Sequence, residues 1–197
     1  MPEHLMTTAR MEAFSDGVVA ILITIMVLEL HAPDVVSWQA LRPIVPIFLA
    51  YVLSFVFLGI YWANHHHMLQ LAERVNGGIL WANLHLLFWL SLIPFATAWM
   101  GEHHEAYAPT ALYGIVLLSS GVAYTILQRA LIREQGPHSP LALAVGRDAK
   151  GLLSVATYVV AIVSASYSPI ISQLLYLGVA LMWFVPDRRI EKMLRQG

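Results

Sequence analysis

The residues best suited to chemistry stand at the ends of apolar segments. The stretch RMEAFSD, residues 10–16, places an arginine, a serine and an aspartate ahead of a run that is apolar from Val18 to Leu28 except for Thr24. The stretch YWANHHHM, residues 61–68, carries an indole, an amide and three imidazoles, and WANLH, residues 81–85, carries another set. Such groups can pair by hydrogen bonds, ligate a metal or couple to a proton.

The composition indicates what kind of structure must position these groups. Of the 197 residues, 58% are hydrophobic and 12% are charged, against ~25% charged in a typical soluble domain. A chain with so little polar surface predicts an integral membrane protein. It contains no cysteine, which excludes disulfides and thiolate metal sites.

Six apolar segments compare with the ~20 residues that a membrane-spanning helix needs. We therefore predict an all-α fold, one polytopic domain over residues 1–197 with six transmembrane helices. Ser168 and Pro169 separate the last two segments, which are either two tight spans or a re-entrant pair, and Pro94 could kink the third helix. The N-terminus is not expected to be a signal peptide, because acidic residues enter it. The six segments are residues 14–30, 44–64, 79–100, 110–132, 151–167 and 170–185.

The basic residues predict the orientation. With the N-terminus in the cytoplasm, Arg42 is the only one of the 11 lysines and arginines in the outer loops. The positive-inside rule then places both termini in the cytoplasm. The other basic residues all fall in predicted inner segments: Arg10, Arg74, Arg129, Arg133, Arg147, Lys150, Arg188, Arg189, Lys192 and Arg195.

This orientation brings the polar stretches to the cytoplasmic ends of helices one, two and three. Ser15 and Asp16 could simply cap a helix, or Asp16 could bond to a neighbouring helix, because charges at membrane depth are usually paired. His66 and His67 are interpreted as part of an interfacial loop without a fixed role. The polar groups expected near this face are Asp16, Trp62, Asn64, His65, His66, His67, Asn83 and His85.

The first helix also carries an apolar stripe with one hydroxyl. At 100° per residue, one narrow face collects Gly17, Ile21, Thr24, Ile25 and Leu28. The stripe is either a packing seam between helices or a pore wall that gates by dewetting. One helix cannot enclose a pore, whereas copies around a symmetry axis can.

These residues resemble the signature of the transmembrane protein 175 family of potassium channels, R-x-x-x-F-S-D followed by an apolar helix. The resemblance extends to YWANHH at the end of helix two and to WANLHLLFWLSLIPFATAW in helix three. It covers about the first hundred residues with specific motifs, and the second half only in general character. The chain lacks the T-V-G-Y-G filter of ordinary potassium channels.

The resemblance implies a homotetramer with a central pore lined by helix one and weak to moderate selectivity for potassium. By position, Ile21, Ile25 and Leu28 would form the constriction and Thr24 its polar neighbour. A supporting hydrogen-bond cluster of Trp62, His65 and Asn83 would hold the signature motif, which comprises Arg10, Phe14, Ser15 and Asp16.

Glu29, near the predicted outer mouth, would attract cations weakly. We expect no enzymatic activity, no cofactor and no nucleic-acid partner. The expected partners are further copies of the chain, membrane lipid and monovalent cations, with potassium as the permeant ion. The expected location is the plasma membrane of a bacterium.

Two other classes of function stay open at this point. A secondary transporter would use Asp16 as its cation- or proton-coupling carboxylate. A membrane metal or redox protein would use His65, His66 and His85 as ligands.

Overall fold

The structure, a computed structural model, describes residues 8–146 and 148–184. Within these ranges the chain is helical, and no strand is found. The prediction of an all-α membrane protein is therefore confirmed. The helices are α1 (Thr8–Met26), α2 (Val45–Gln70), α3 (Gly77–Ser91), α4 (Ile93–Glu102), α5 (Tyr107–Gln135), α6 (Pro140–Val145), α7 (Ala149–Ser164) and α8 (Pro169–Phe184).

In the part of the chain that the structure describes, four helical stretches are long and apolar enough to cross a membrane. They are Thr8–Glu29, Trp38–Gln70, Gly77–Glu102 and Tyr107–Gln135, and they correspond to the first four predicted segments. The first stretch begins at least six residues before the predicted Phe14, and the second continues to Gln70 instead of ending at Asn64. This extension was not predicted because its histidines read as interfacial, yet Met68 and Leu69 are buried there.

Polar residues define several helix ends. Asn76 caps α3 by accepting a hydrogen bond from the Ile79 amide at 3.0 Å, and Asp148 caps α7 through the Gly151 amide at 2.8 Å. At the C-terminal end of α5, Gly136 takes a φ of 96°, a left-handed conformation that glycine adopts without strain. Short polar side chains thus satisfy backbone groups that the apolar segments leave open.

The third predicted segment is interrupted next to Pro94, where a kink was predicted. Helix α3 ends at Ser91 and α4 begins at Ile93, with Pro94 in its first turn. A proline cannot donate the amide hydrogen bond that a continuous helix would require. The interruption lets α3 and α4 pack separately, and both of them contact α1 and α5.

Helix α5 is the centre of the bundle and packs against α3, α4, α7 and α8. A hydroxyl chain fixes its first half. Thr97 donates to the Ile93 carbonyl at 2.7 Å, so Ser54 must donate its own proton to Thr97 at 2.6 Å. The Tyr113 hydroxyl then donates to Ser54 at 2.9 Å. This buried chain joins α2, α4 and α5 in a region that offers no water as a partner.

Within the described residues, the last two helices contain 16 residues each, a length of ~24 Å against a hydrocarbon core of ~30 Å. They pack against each other and against α5. Ser172 donates to the Ala161 carbonyl at 2.7 Å, and Tyr176 donates to the Thr110 carbonyl at 3.0 Å. That each of the two helices crosses the membrane stays a prediction.

The predicted orientation also stays a prediction. Half of its support comes from basic residues that lie outside the described residues, namely Arg147, Arg188, Arg189, Lys192 and Arg195. The predicted end of the sixth segment, Val185, lies outside them as well.

Gly114 of α5 should be required for the close packing of the last helices. A Cβ atom at this position would overlap the Tyr176 hydroxyl and approach Ile162. We expect Gly114→Ala to displace Tyr176 from the Thr110 carbonyl and to lower the free energy of unfolding by about 1–3 kcal/mol. Thermal unfolding of the detergent-solubilised protein measures this loss.

Gly178→Ala is the matched control, because a Cβ atom there meets nothing within 4 Å. This variant should melt at the wild-type temperature or slightly above it, since alanine favours a helix over glycine. Equal melting temperatures for both variants would contradict the packing role of Gly114.

Candidate pore helix and its polar anchor

Helix α1 has one covered face. Met11, Ser15, Val19, Leu22 and Met26 recur at helical spacing and are buried. This face packs against α2, α3 and α4. The first helix is thus attached to its own subunit along a single stripe of side chains.

The predicted apolar stripe lies on the uncovered side of α1. Ile21, Ile25 and Leu28 are 57%, 42% and 69% exposed, and Gly17 and Thr24 are exposed too. At 100° per residue this stripe points away from the covered face. Within one chain it is therefore not a packing seam, and it is free to face lipid, a pore or another copy. We call Gly17, Ile21, Thr24, Ile25 and Leu28 the uncovered stripe.

Thr24 presents an oxygen within this stripe. Its hydroxyl donates to backbone carbonyls of the preceding turn, Ile21 at 2.9 Å and Ala20 at 3.1 Å. Because the single proton is used in this way, the oxygen retains only acceptor capacity. An oxygen of this kind can contact a cation that passes along the stripe.

A buried hydrogen-bond chain joins α1 to α2 through α3. Ser15 donates to the Met11 carbonyl at 2.8 Å, and Asn83 donates its amide proton to the Ser15 oxygen at 2.9 Å. The Asn83 oxygen then faces His65 at 2.8 Å, so the imidazole carries its proton on Nε2. The order of donors is fixed from end to end, and all three side chains are buried.

Asp16 makes a second connection between α1 and α2. The Trp62 indole nitrogen donates to its carboxylate at 3.0 Å. The structure thus brings together Ser15, Asp16, Trp62, His65 and Asn83, which we call the polar anchor. Ser15 is not a cap, because α1 continues through at least seven residues before it.

The remaining two signature residues lie elsewhere. Arg10 and Phe14 are exposed, and Phe14 is 55% exposed. They continue the uncovered stripe towards the start of α1, since Arg10, Phe14 and Ile21 share one face at 100° per residue. Among the described residues, Arg10 has no hydrogen bond or ion pair. The signature motif therefore divides between the two sides of the helix.

The expectation for His66 and His67 was wrong, because both lie within α2. The Nδ1 atom of His66 is 2.6 Å from the Glu12 carboxylate, and its Nε2 atom is 2.8 Å from the Gln70 amide nitrogen. The Nδ1 atom of His67 is buried and has no partner among the described residues. Helical spacing between His66 and Gln70 was the sequence signal that could have indicated an ordered role.

His85 does not join the other histidines. It is exposed and accepts a hydrogen bond from Trp89, one turn along its own helix, at 3.0 Å. In the part of the chain that the structure describes, no group of three or more histidine or acidic side chains could hold a metal ion. The hydrogen bond of His85 thus stays within α3, and its position near the cytoplasmic face stays a prediction.

Glu29 ends a short 3₁₀ turn, Val27–Glu29, that follows α1. Its side chain is exposed, and its carbonyl oxygen lies 3.0 Å from the His31 ring nitrogen. The carboxylate stands one residue beyond Leu28, at the far end of the uncovered stripe from the polar anchor.

Comparison with known proteins places this geometry in a family. The sequence profile described as endosomal/lysosomal potassium channel TMEM175 matches residues 10–94. A protein of Chryseobacterium sp. (strain P1-3), named a potassium channel, is 54% identical over 98% of this chain and 100% of its own length. The chain belongs to the TMEM175 family. The TMEM175 profile covers α1 to the start of α4 and so contains both the uncovered stripe and the polar anchor.

Other members of the TMEM175 family are more distant. A protein of Streptomyces collinus, also named a potassium channel, is 34% identical over 64% of this chain and 65% of its own length. The chicken protein, named endosomal/lysosomal proton channel TMEM175, is 28% identical over 71% of this chain and 31% of its own length.

The fold agrees with a solved TMEM175 structure. A crystal structure from Chamaesiphon minutus, of a protein described as a homologue of the lysosomal potassium-selective channel TMEM175, superposes with a TM-score of 0.76 at 25% identity. The superposition covers 90% of this chain and 96% of that chain. The likeness therefore includes the second half of the bundle, which the sequence motifs do not reach.

Asn83 is the centre of the polar anchor, and its removal should destabilise the protein. Asn83→Leu would leave the His65 proton and the Ser15 oxygen buried without partners, at a cost of about 1–2 kcal/mol. We expect the melting temperature of the solubilised protein to fall by about 2–8 °C. The control is His85→Leu on the same helix, which should melt close to wild type. Equal melting temperatures would contradict the anchor.

Proposed function

We propose that the protein is a potassium channel in which copies of α1 line a central pore. The observation that carries this proposal is the uncovered stripe, an apolar face with one hydroxyl on a helix whose opposite face is held by buried hydrogen bonds. The names of the bacterial relatives and of the solved homologue support the same function.

The pore requires several copies of the chain. One α1 presents one stripe, so a closed wall needs copies around a rotation axis. We infer a homotetramer from the resemblance to the family. Its support in this chain is that α2 and α3, which flank α1, expose large apolar side chains that neighbouring copies or lipid would cover, among them Phe48, Phe55, Trp81 and Phe88.

In this proposal, ions move passively down their electrochemical gradient, without a cofactor. Glu29 raises the local concentration of cations near the outer mouth, an effect that salt screens. Rings of Ile21, Ile25 and Leu28 form a barrier that opens when it is wide enough to hold water. Thr24 offers its oxygen to the ion beside this barrier. The polar anchor limits the rotation of α1 and hence the width of the rings.

Flux from proteoliposomes tests the proposed function. The purified protein should dissipate a potassium gradient, and a sodium gradient more slowly, in proportion to the amount of protein. A proton gradient serves as a third arm, because the vertebrate relatives are named proton channels. Vesicles that stay as tight to all three ions as protein-free vesicles would refute the proposal.

The resemblance to a bacterial subfamily places the channel in the plasma membrane.

Ile21 should control conduction more than an exposed isoleucine outside the uncovered stripe does. Ile21→Asn would bring a polar group into the barrier and favour its hydration, so we expect the basal current to rise on the order of tenfold, or ~1.4 kcal/mol of barrier. Single-channel recording in planar bilayers measures the current. The matched control is Ile171→Asn, which alters a 50% exposed isoleucine on α8.

The control should keep the wild-type current, since α8 does not contact α1 extensively in the fold. Currents that rise equally in both variants would indicate a general leak. Unchanged current in Ile21→Asn and in Ile25→Asn would show that the uncovered stripe does not line the pore.

A further inference from the structure

A polar connection outside the signature motif joins α1 to α2. The Glu12 carboxylate lies 2.6 Å from the Nδ1 atom of His66, and the side chains are only 25% and 34% exposed. Gln70 donates its amide proton to the other ring nitrogen at 2.8 Å. The Nδ1 atom faces a carboxylate, which can only accept, so Nδ1 carries a proton and donates it to Glu12. Such charge-assisted hydrogen bonds are stronger than neutral ones.

This connection and the Asp16–Trp62 hydrogen bond form a ladder. Glu12 and Asp16 are four residues apart on α1, and Trp62 and His66 are four residues apart on α2. Because the two helices run in opposite directions, Glu12 meets His66 while Asp16 meets Trp62. The two rungs are separated by one helical turn, ~6 Å along the axis.

The rungs are also coupled on the α2 side. The rings of Trp62 and His66 stack, with centroids 6.0 Å apart and planes inclined by 18°. A shift of one ring therefore disturbs the hydrogen bond of the other. Gln70 adds a third group from the same face of α2, so the orientation of His66 is fixed from both ring nitrogens.

Two contacts constrain a helix differently from one. A single hydrogen bond lets α1 pivot around it, whereas two contacts on one face resist both rotation about the helix axis and tilting. The ladder lies on a different side of α1 from the uncovered stripe, since Glu12 and Asp16 are turned away from Ile21 at 100° per residue. It can therefore set the direction of the stripe without touching an ion.

We propose that Glu12, His66 and Gln70 are positioning residues, which fix the rotation and tilt of α1 and so set the equilibrium between closed and open pores. The proposal rests on the proposed channel function. It assigns a role to Glu12, which is not part of the R-x-x-x-F-S-D signature.

A mutant cycle tests the pair. Glu12→Ala removes the acceptor, His66→Phe removes both ring nitrogens but keeps a flat ring beside Trp62, and the double variant combines them. Glu12→Gln keeps an oxygen that accepts the His66 proton and loses only the charge. The control is His85→Phe, which alters an exposed histidine bonded within its own helix. All variants are assayed as assembled protein, with oligomeric state and melting temperature measured beside the recordings.

Two readouts distinguish positioning from general stability. In planar bilayers we expect each single variant to change the closed-to-open ratio about two- to fivefold in the same direction. The double variant should change the ratio no more than the larger single change. Hydrogen–deuterium exchange of residues 8–16 should be faster in both single variants, and Glu12→Gln should recover at least half of each effect.

The outcomes are separable. Single effects that multiply in the double variant, or a normal closed-to-open ratio despite faster exchange, would overturn the positioning role. Normal exchange in both single variants would show that the Glu12–His66 contact does not hold α1 to α2. A wild-type protein that carries no current would instead refute the proposed function, and the exchange data would still decide whether Glu12 and His66 hold α1.

Discussion

The whole arrangement depends on one constraint: α1 must be held by one face so that the other stays free. In a membrane, lipid is as apolar as leucine, so burying apolar side chains does little to join helices. Hydrogen bonds and close packing must do so instead. The chain from Asn83 to Ser15 and the carboxylate contact of Asp16 supply directional bonds on the covered face. The uncovered stripe needs no such bonds and can keep the apolar surface on which a barrier by dewetting depends.

Hydrogen bonds also connect the helices that surround α1. Tyr113, Ser54 and Thr97 form a hydroxyl chain that connects α2 and α4 to α5, and Tyr176 connects α8 to α5 through the Thr110 carbonyl. Each chain ends on a backbone carbonyl, so no proton is left without an acceptor. Two of the helices that contact α1, namely α2 and α4, are thus linked to each other and to α5 by hydrogen bonds.

The sequence predicted the elements better than it predicted their partners. Apolar length indicated the long helices, Pro94 indicated the break between α3 and α4, and residue spacing separated Ile21 from Ser15 around α1. The role of His66 was missed because consecutive histidines resemble an interfacial tail, and only the register between α1 and α2 shows that His66 faces Glu12. The partner of His85 was also missed: its nearness to Asn83 in sequence suggested a shared cluster, but His85 is exposed and pairs with Trp89, one turn along the same helix.

The short signature motif serves both faces of α1, and helix geometry explains how it can. Arg10 and Phe14 fall on the uncovered side, while Ser15 and Asp16 turn towards the subunit. A helix is stiff over such a distance, so the direction of Ser15 also determines the direction of Ile21, six residues and ~9 Å further along. A bond that rotates Ser15 by a few degrees rotates Ile21 by the same angle. In the proposed pore, residues that never meet an ion would therefore decide how closely the isoleucine rings approach one another.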